Sequence, residues 1–332
     1  MKKIITAILF FFVSFCIASC SNPTLTLPID SNSASISEVS SSADSTGITS
    51  SLSAVSGGEV ITVEVSTVKE FFEAIAPNRI IKLHSGPYQL DELSDIPNTN
   101  PYVSIRSETN EVIIQNVFNL SIIGLGDERV EVFTKYEDAD VLTFENADGV
   151  SISNVRMGHF PVKGGCYGGV LFFKNSDNVT ITGSNFFGCG VNGLEVNNVN
   201  TLLFQDSVIE DCHYIMCIGN SQNITFLDSS FQKTNGSSLI NISGCKGVLF
   251  DHCAITDNVG KTDIGVLFQI DYGFPTYAEP IAESDVISEI LIKDSVIKGN
   301  WTTSLTMTRA PDKSSNSLTF ENVEFENNNF ES

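Results

Sequence analysis

The side chains that could do chemistry in this sequence fall into two sets. The first combines rings, imidazoles and one carboxylate: His159, Tyr167, Phe172, Glu195, His213, Tyr214, Tyr272, Phe274 and Tyr277. Aromatic faces stack against the apolar side of a sugar ring or a peptide, while His and Glu offer hydrogen bonds at the rim. The second set is His159, Cys166, Cys189, Cys212 and His213, whose atoms are those of a zinc site. No Cys-x-x-Cys pair or ligand spacing accompanies them, so buried thiols are expected, with no metal and no cofactor. Two further pairs are weighed: Glu195 with Asp211, as carboxylates for glycoside hydrolysis, and Asp251-His252, which reads as a polar strand end.

What must position these residues is a repeat. The segments "NLSII", "GVSIS", "NVTIT", "TLLFQ", "NITFL", "GVLFD", "EILIK" and "SLTFE" begin their apolar pairs at Leu120, Val150, Val179, Leu202, Ile224, Val248, Ile290 and Leu318. In the middle these pairs recur after 23, 22 and 24 residues, and inserted loops account for the longer intervals. Each unit holds three short alternating strands, like "VLFF", "VTI" and "NFF", without helical spacing between them. The expected fold is all-β, a right-handed parallel β-helix, in which every alignment column is a physical ladder.

Two columns are predicted to point inward. One holds Ile122, Ile152, Ile181, Phe204, Phe226, Phe250, Ile292 and Phe320; the other holds Met157, Phe186, Ile209, Phe231, Ile255, Ile297 and Phe325. A third column, Asn116, Asn146, Asn175, Asn198 and Asn220 followed by Gly244, marks a turn needing a left-handed backbone. Cys189 and Cys212 then lie on neighbouring coils. A disulfide is geometrically conceivable there, but matched parallel positions give poor torsions. The Asn-x-Ser/Thr triplets at Asn178, Asn223 and Asn241 read as turn and strand-entry residues.

Ahead of the coils, Val68, Phe71, Phe72 and Ile75 follow helical spacing, with Ser66 or Thr67 as N-cap and Pro77 as stop. Helix, strand and Gly86-x-Tyr88 in this order resemble the N-terminal cap of pectate-lyase-like β-helix proteins. The resemblance implies a polysaccharide groove over the first-strand sheet, beside the insertions Gly158–Gly169 and Asp271–Ser288. Outward positions there are predicted to include Val170, Phe172, Glu195, Ile215, Cys217 and Asn241. The Asn-Thr-Asp, Asp-Asp, Gly-His-Gly and Arg-Ile-Lys motifs of polygalacturonases are missing from the coils. "LFDHC" at Leu249–Cys253 is similar to the Asp-His stretch of pectate lyases, but Asp312 stands where their Arg-x-Pro element, here Arg309-Ala310-Pro311, needs a second Arg.

The chain begins with two lysines, an apolar run from Ile4 to Ile17 and small residues, which is an export signal. Ile17-Ala18-Ser19-Cys20 resembles the lipobox of bacterial lipoproteins, which implies an acylated Cys20 holding the protein on a membrane. Ser21, in place of Asp, favours the outer membrane in a cell that has two. The expected organisation is a signal at 1–19, a Ser-rich tether at 20–58, a cap and first coil at 59–110, and the β-helix at 111–332. With 18 basic residues against 40 acidic and a formal net charge of −22, a nucleic-acid partner is not expected. The functional expectation is a surface-anchored protein binding extracellular polysaccharide. The alternatives are a divergent polysaccharide lyase or glycoside hydrolase, and a non-catalytic structural or adhesive surface protein.

Overall fold

An apolar-x-apolar strand of four or five residues buries one face only when identical strands lie above and below it. That condition sets the architecture of the computed structural model, which describes residues 58–160, 167–188, 190–260, 265–271, 288–308 and 317–330. The signal segment, Cys20 and the Ser-rich stretch lie outside the described residues, as do Cys166, Cys189, Tyr272, Phe274, Tyr277 and Arg309 to Asp312. Among the described residues no helix is long and apolar enough to cross a membrane.

Each coil contributes three strands. The second strands run from Ile61–Val65 and Arg79–Leu83 through Phe118–Gly124 and Asp148–Ser153 to Glu289–Lys293 and Ser317–Glu321, pairing in parallel throughout. The first strands include Val112–Gln115, Leu142–Glu145, Tyr214–Gly219, Ser238–Ser243, Val266–Asp271 and Ser304–Thr308. First and second strands run together at Leu171–Thr182 and Asn192–Gln205, with the corner made by single left-handed residues such as Asn175 and Asn198 inside the paired stretch. Third strands form a separate nine-stranded sheet running from Tyr88–Gln89 to Glu324–Glu326.

The ladders follow the predicted registers. Ile152 pairs with Ile181, which leads through Phe204, Phe226, Phe250 and Ile292 to Phe320, each one coil on. Phe226 and Phe250 stack at 4.6 Å between ring centroids, and Phe231 meets both edge-on at 5.5 and 5.8 Å. The second predicted column runs from Met157 through Phe186, Ile209, Phe231, Ile255 and Ile297 to Phe325. Phe325, on the last coil, is 46% exposed because no described coil lies above it.

Asparagines hold the corners. Asn116, Asn146, Asn175, Asn198 and Asn220 all have φ between 49° and 56°, and Gly244 continues the column at 62°. The amide of Asn198 donates to Oδ1 of Asn175 at 2.9 Å, so the left-handed turn and the coil-to-coil bond come from one side chain. At the next corner Asn178 donates to Asp148 and Asn223 to Asn200. Inside the turns, serine hydroxyls accept from backbone amides of the preceding coil, as Ser207 does from Ser184 and Ser229 from Ser207.

The N-terminal helix spans Val68–Ala74. Thr67 is its N-cap, with Glu70 completing a reciprocal capping box. Asn100 Nδ2 donates to the carbonyls of Phe72 and Ile75 at the helix end, where Phe72 O also accepts from the Ile75 N–H. Val68, Phe71 and Phe72 enter the same apolar core as the coils, and Tyr88 is buried beside them, its hydroxyl donating to Val65 O at 2.7 Å.

Candidate functional site on the first-strand face

Parallel pairing in constant register lines up every second residue of the first strands on the outside. Ile113, Thr143, Phe172, Glu195, Cys217, Asn241, Gln269 and Met307 therefore form one row, one residue per coil. Phe172, Glu195, Cys217 and Asn241 keep part of their surface open. Val170 and Ile215, expected in this row, are instead fully buried. Their column also holds Gly193, where a Cβ would meet Ile209 of the third-strand sheet at 2.2 Å, so it points into the core. The chain enters each first strand from a turn, and two consecutive apolar residues, such as Ile215-Met216, face inward before the alternation starts.

Glu195 has a structured setting. Its Oε2 accepts from Asn192 Nδ2 at 2.9 Å, and Asn192 pairs in register with Tyr214 on the next coil. Burial pushes the Glu195 carboxyl up to about 7, and the nearby charges of Asp140 and Glu111 add to the effect. Those two carboxylates flank buried Thr143, whose hydroxyl lies 2.7 Å from Glu111 Oε1 and 3.4 Å from Asp140 Oδ2. Both carboxyls are also raised, chiefly by burial, although Arg106 stands 3.0 Å from Glu111.

Gly169 explains how Asp140 reaches this position. Its N–H donates to Asp140 Oδ1 at 2.5 Å, and a Cβ there would meet that same oxygen at 2.9 Å and Asn192 O at 2.8 Å. Gly168 is as tightly placed, since a Cβ would fall 2.1 Å from Ala139 O. The paired glycines let the returning chain pass against the Ala139-Asp140 turn, leaving the Asp140 carboxylate in the space a side chain would fill. The result is a chain of contacts across three coils: Asp140, Gly169, then Asn192 with Glu195.

The other predicted residues divide by position. Tyr214 borders a cavity of about 240 Å³ with Asn192, Cys217, Ser238 and Asn241, and His213 packs edge-on against it at 4.6 Å. Phe172 adjoins Glu195 in the outward row. Tyr167, 78% exposed, precedes the glycine pair. His159 is buried; a ring nitrogen lies 2.9 Å from Ala139 O, and burial lowers its pKa. It braces the turn that carries Asp140. Asp211 lies in a left-handed turn after a third strand, and the nearby charges that raise Glu195 include those of Asp140 and Glu111.

Cys212, Cys245 and Cys253 are buried thiols without disulfides. Cys245 and Cys253 occupy the serine columns of the turns: Cys253 donates to Phe226 O and Asp251 O, as Ser229 does to Phe204 O and Leu227 O. Burial raises them to about 11 and about 12 respectively. Among the described residues, the one group with metal-like spacing is Asp251, His252 and Asp294, at the second corner. Lys293 lies 2.8 Å from Asp251, Asn322 donates to Asp294 at 2.6 Å, and His252 has φ 52° in the turn column, so these are corner residues.

The winding defines the class of protein. Residues 168–332 match the family model described as the right-handed β-helix region, and the fold is a right-handed parallel β-helix. No curated protein is a significant match by sequence. Among solved structures, the chain is similar to Escherichia coli YbhC, with 13% identity and a TM-score of 0.47, covering 74% of this chain and 76% of that one. It is similar to a pectate lyase from Xanthomonas campestris at 9% identity and TM-score 0.40, covering 82% and 80%. It is also similar to the Streptococcus pneumoniae surface protein and adhesin PfbA at 13% and 0.38, covering 82% and 77%. Likeness at this level concerns the winding alone and carries no argument about ligand or reaction.

Proposed function

We propose that this β-helix binds extracellular polysaccharide along its first-strand face and is held at the cell envelope, in the outer membrane of a two-membraned cell, by acyl chains on Cys20. The observation behind the binding reading is the outward row in which Phe172, Glu195, Cys217 and Asn241 stand at coil spacing beside the Tyr214 cavity. A glycan chain presents alternating apolar faces and hydroxyl rims. A straight row of aromatic, amide and carboxyl groups about 4.8 Å apart offers each a partner over several sugar units.

The test is binding of the protein to a broad polysaccharide array, repeated with Phe172→Ala and Tyr214→Ala. Specific binding that weakens about tenfold in each variant supports the reading; no binding to any glycan removes it. Incorporation of an alkyne-tagged fatty acid that disappears in Cys20→Ala supports the anchor.

A second reading, glycan cleavage, is favoured by one observation. Glu195 holds its proton close to neutral pH beside two other carboxylates, the arrangement from which a general acid and a base are drawn. New reducing ends on bound glycan, lost in Glu195→Gln, would support it.

A further inference from the structure

The charge on the first-strand face limits which polysaccharide it accepts, an inference that rests on the binding reading above. Among the described first strands, Lys174 is the single base, and it is paired with Glu145 at 3.4 Å. Arg106, beside Glu111 ahead of the first strands, is paired with it at 3.0 Å. Among the described residues, Asp140 and Glu195 have only neutral donors at hydrogen-bond distance, namely Gly169 N–H, the Thr143 hydroxyl and the Asn192 amide. A uronate laid over Phe172 and Tyr214 would bring another carboxylate to this group, and among the described residues no unpaired cation stands by to meet it. An ammonium would relieve the repulsion already present among Glu111, Asp140 and Glu195.

We infer that the face selects a polysaccharide bearing free amino groups and rejects polyuronates, with Glu195 as the residue that reads the amine. The apolar ring face packs on Phe172 and Tyr214, and the amine meets the carboxyl that Asn192 orients. Like-charge exclusion, more than added contacts, gives the discrimination.

The experiment measures binding of the full-length protein to three hexasaccharides at pH 7.0, where Glu195 is substantially ionised, and low salt: glucosamine, N-acetylglucosamine and galacturonate. The glucosamine oligomer is expected to bind about tenfold tighter than the acetylated one, with the galacturonate oligomer weaker than both. Raising the salt should narrow the first ratio, and Glu195→Gln should bring it close to one. Equal or tighter binding of galacturonate overturns the inference and leaves glycan binding standing. Equal binding of the two amino-sugar oligomers, or a ratio unmoved by Glu195→Gln, overturns the role given to the amine. Failure of all three hexasaccharides, and of every glycan on the array, removes both the inference and the binding reading.

Discussion

Replacing Glu195 with Gln should make the protein more stable at alkaline pH. The amide keeps an oxygen to accept from Asn192 Nδ2 and keeps the shape of the side chain, while removing the charge. In the folded protein the Glu195 carboxyl titrates at about 7, against 4.5 ordinarily. Between those two pH values the unfolded chain has released this proton and the folded chain has not. The stabilising contribution is therefore fully present below pH 4.5 and is lost as pH rises through 7. At about 1.4 kcal/mol per pKa unit the shift corresponds to ~3 kcal/mol, and the part of the side chain open to water reduces this to ~2 kcal/mol. Glu195→Gln should match the parent at pH 4 and exceed it by ~2 kcal/mol at pH 8.5. Urea unfolding of both proteins at the two pH values measures this difference of differences, in which titrating groups that do not interact with Glu195 cancel. A variant whose advantage is the same at pH 4 and pH 8.5 would refute the reasoning, because Glu195 would then not be holding its proton among Asp140 and Glu111.

Phe250→Ala should cost about 3–5 kcal/mol, the usual range for deleting a fully buried ring. Its stacked contact with Phe226 and edge contacts with Phe231 and Phe268 span three coils, and neighbours fixed by ladder bonds cannot close the cavity. Chemical denaturation followed by near-ultraviolet circular dichroism reads the loss. Cys245 and Cys253 should resist iodoacetamide at pH 8 in the folded protein and react fully in urea, since burial holds both thiols far above that pH. Mass spectrometry after tryptic digestion checks each site separately.

The fold was legible because a solenoid writes its geometry into the sequence once per coil. The Phe204, Phe226 and Phe250 column and the Asn175, Asn198 and Asn220 column each follow from one physical need, burial for the first and a left-handed turn for the second. The site was half legible. Phe172, Glu195, Cys217 and Asn241 emerged from the alternation, but Val170 and Ile215 did not follow it, because the turn into each first strand precedes the alternating part. Glu111 and Asp140 were passed over. They stand just ahead of Val112 and Val141, where an acid looks like an ordinary solvated turn residue. The available signal was the Gly168-Gly169 pair, whose lack of side chains implies close approach by another part of the chain.

That pair shows how a repeating scaffold makes a local site. In a ladder every position is normally filled by its own side chain, so outward groups form rows and do not converge. Convergence requires one coil to leave a gap that a neighbour fills. Gly169 is such a gap: Asp140 extends into it from the coil below, the Asn192 carbonyl closes it from the coil above, and Asn192 turns its amide to Glu195. Three carboxylates from three coils are thereby drawn together on a face where, among the described residues, Arg106 and Lys174 are already paired. The ladder alone would give a passive, mixed surface. The interruption at Gly169 concentrates negative charge and an unusually basic carboxyl beside Phe172 and Tyr214, and for that reason ligand selectivity is sought on this part of the face.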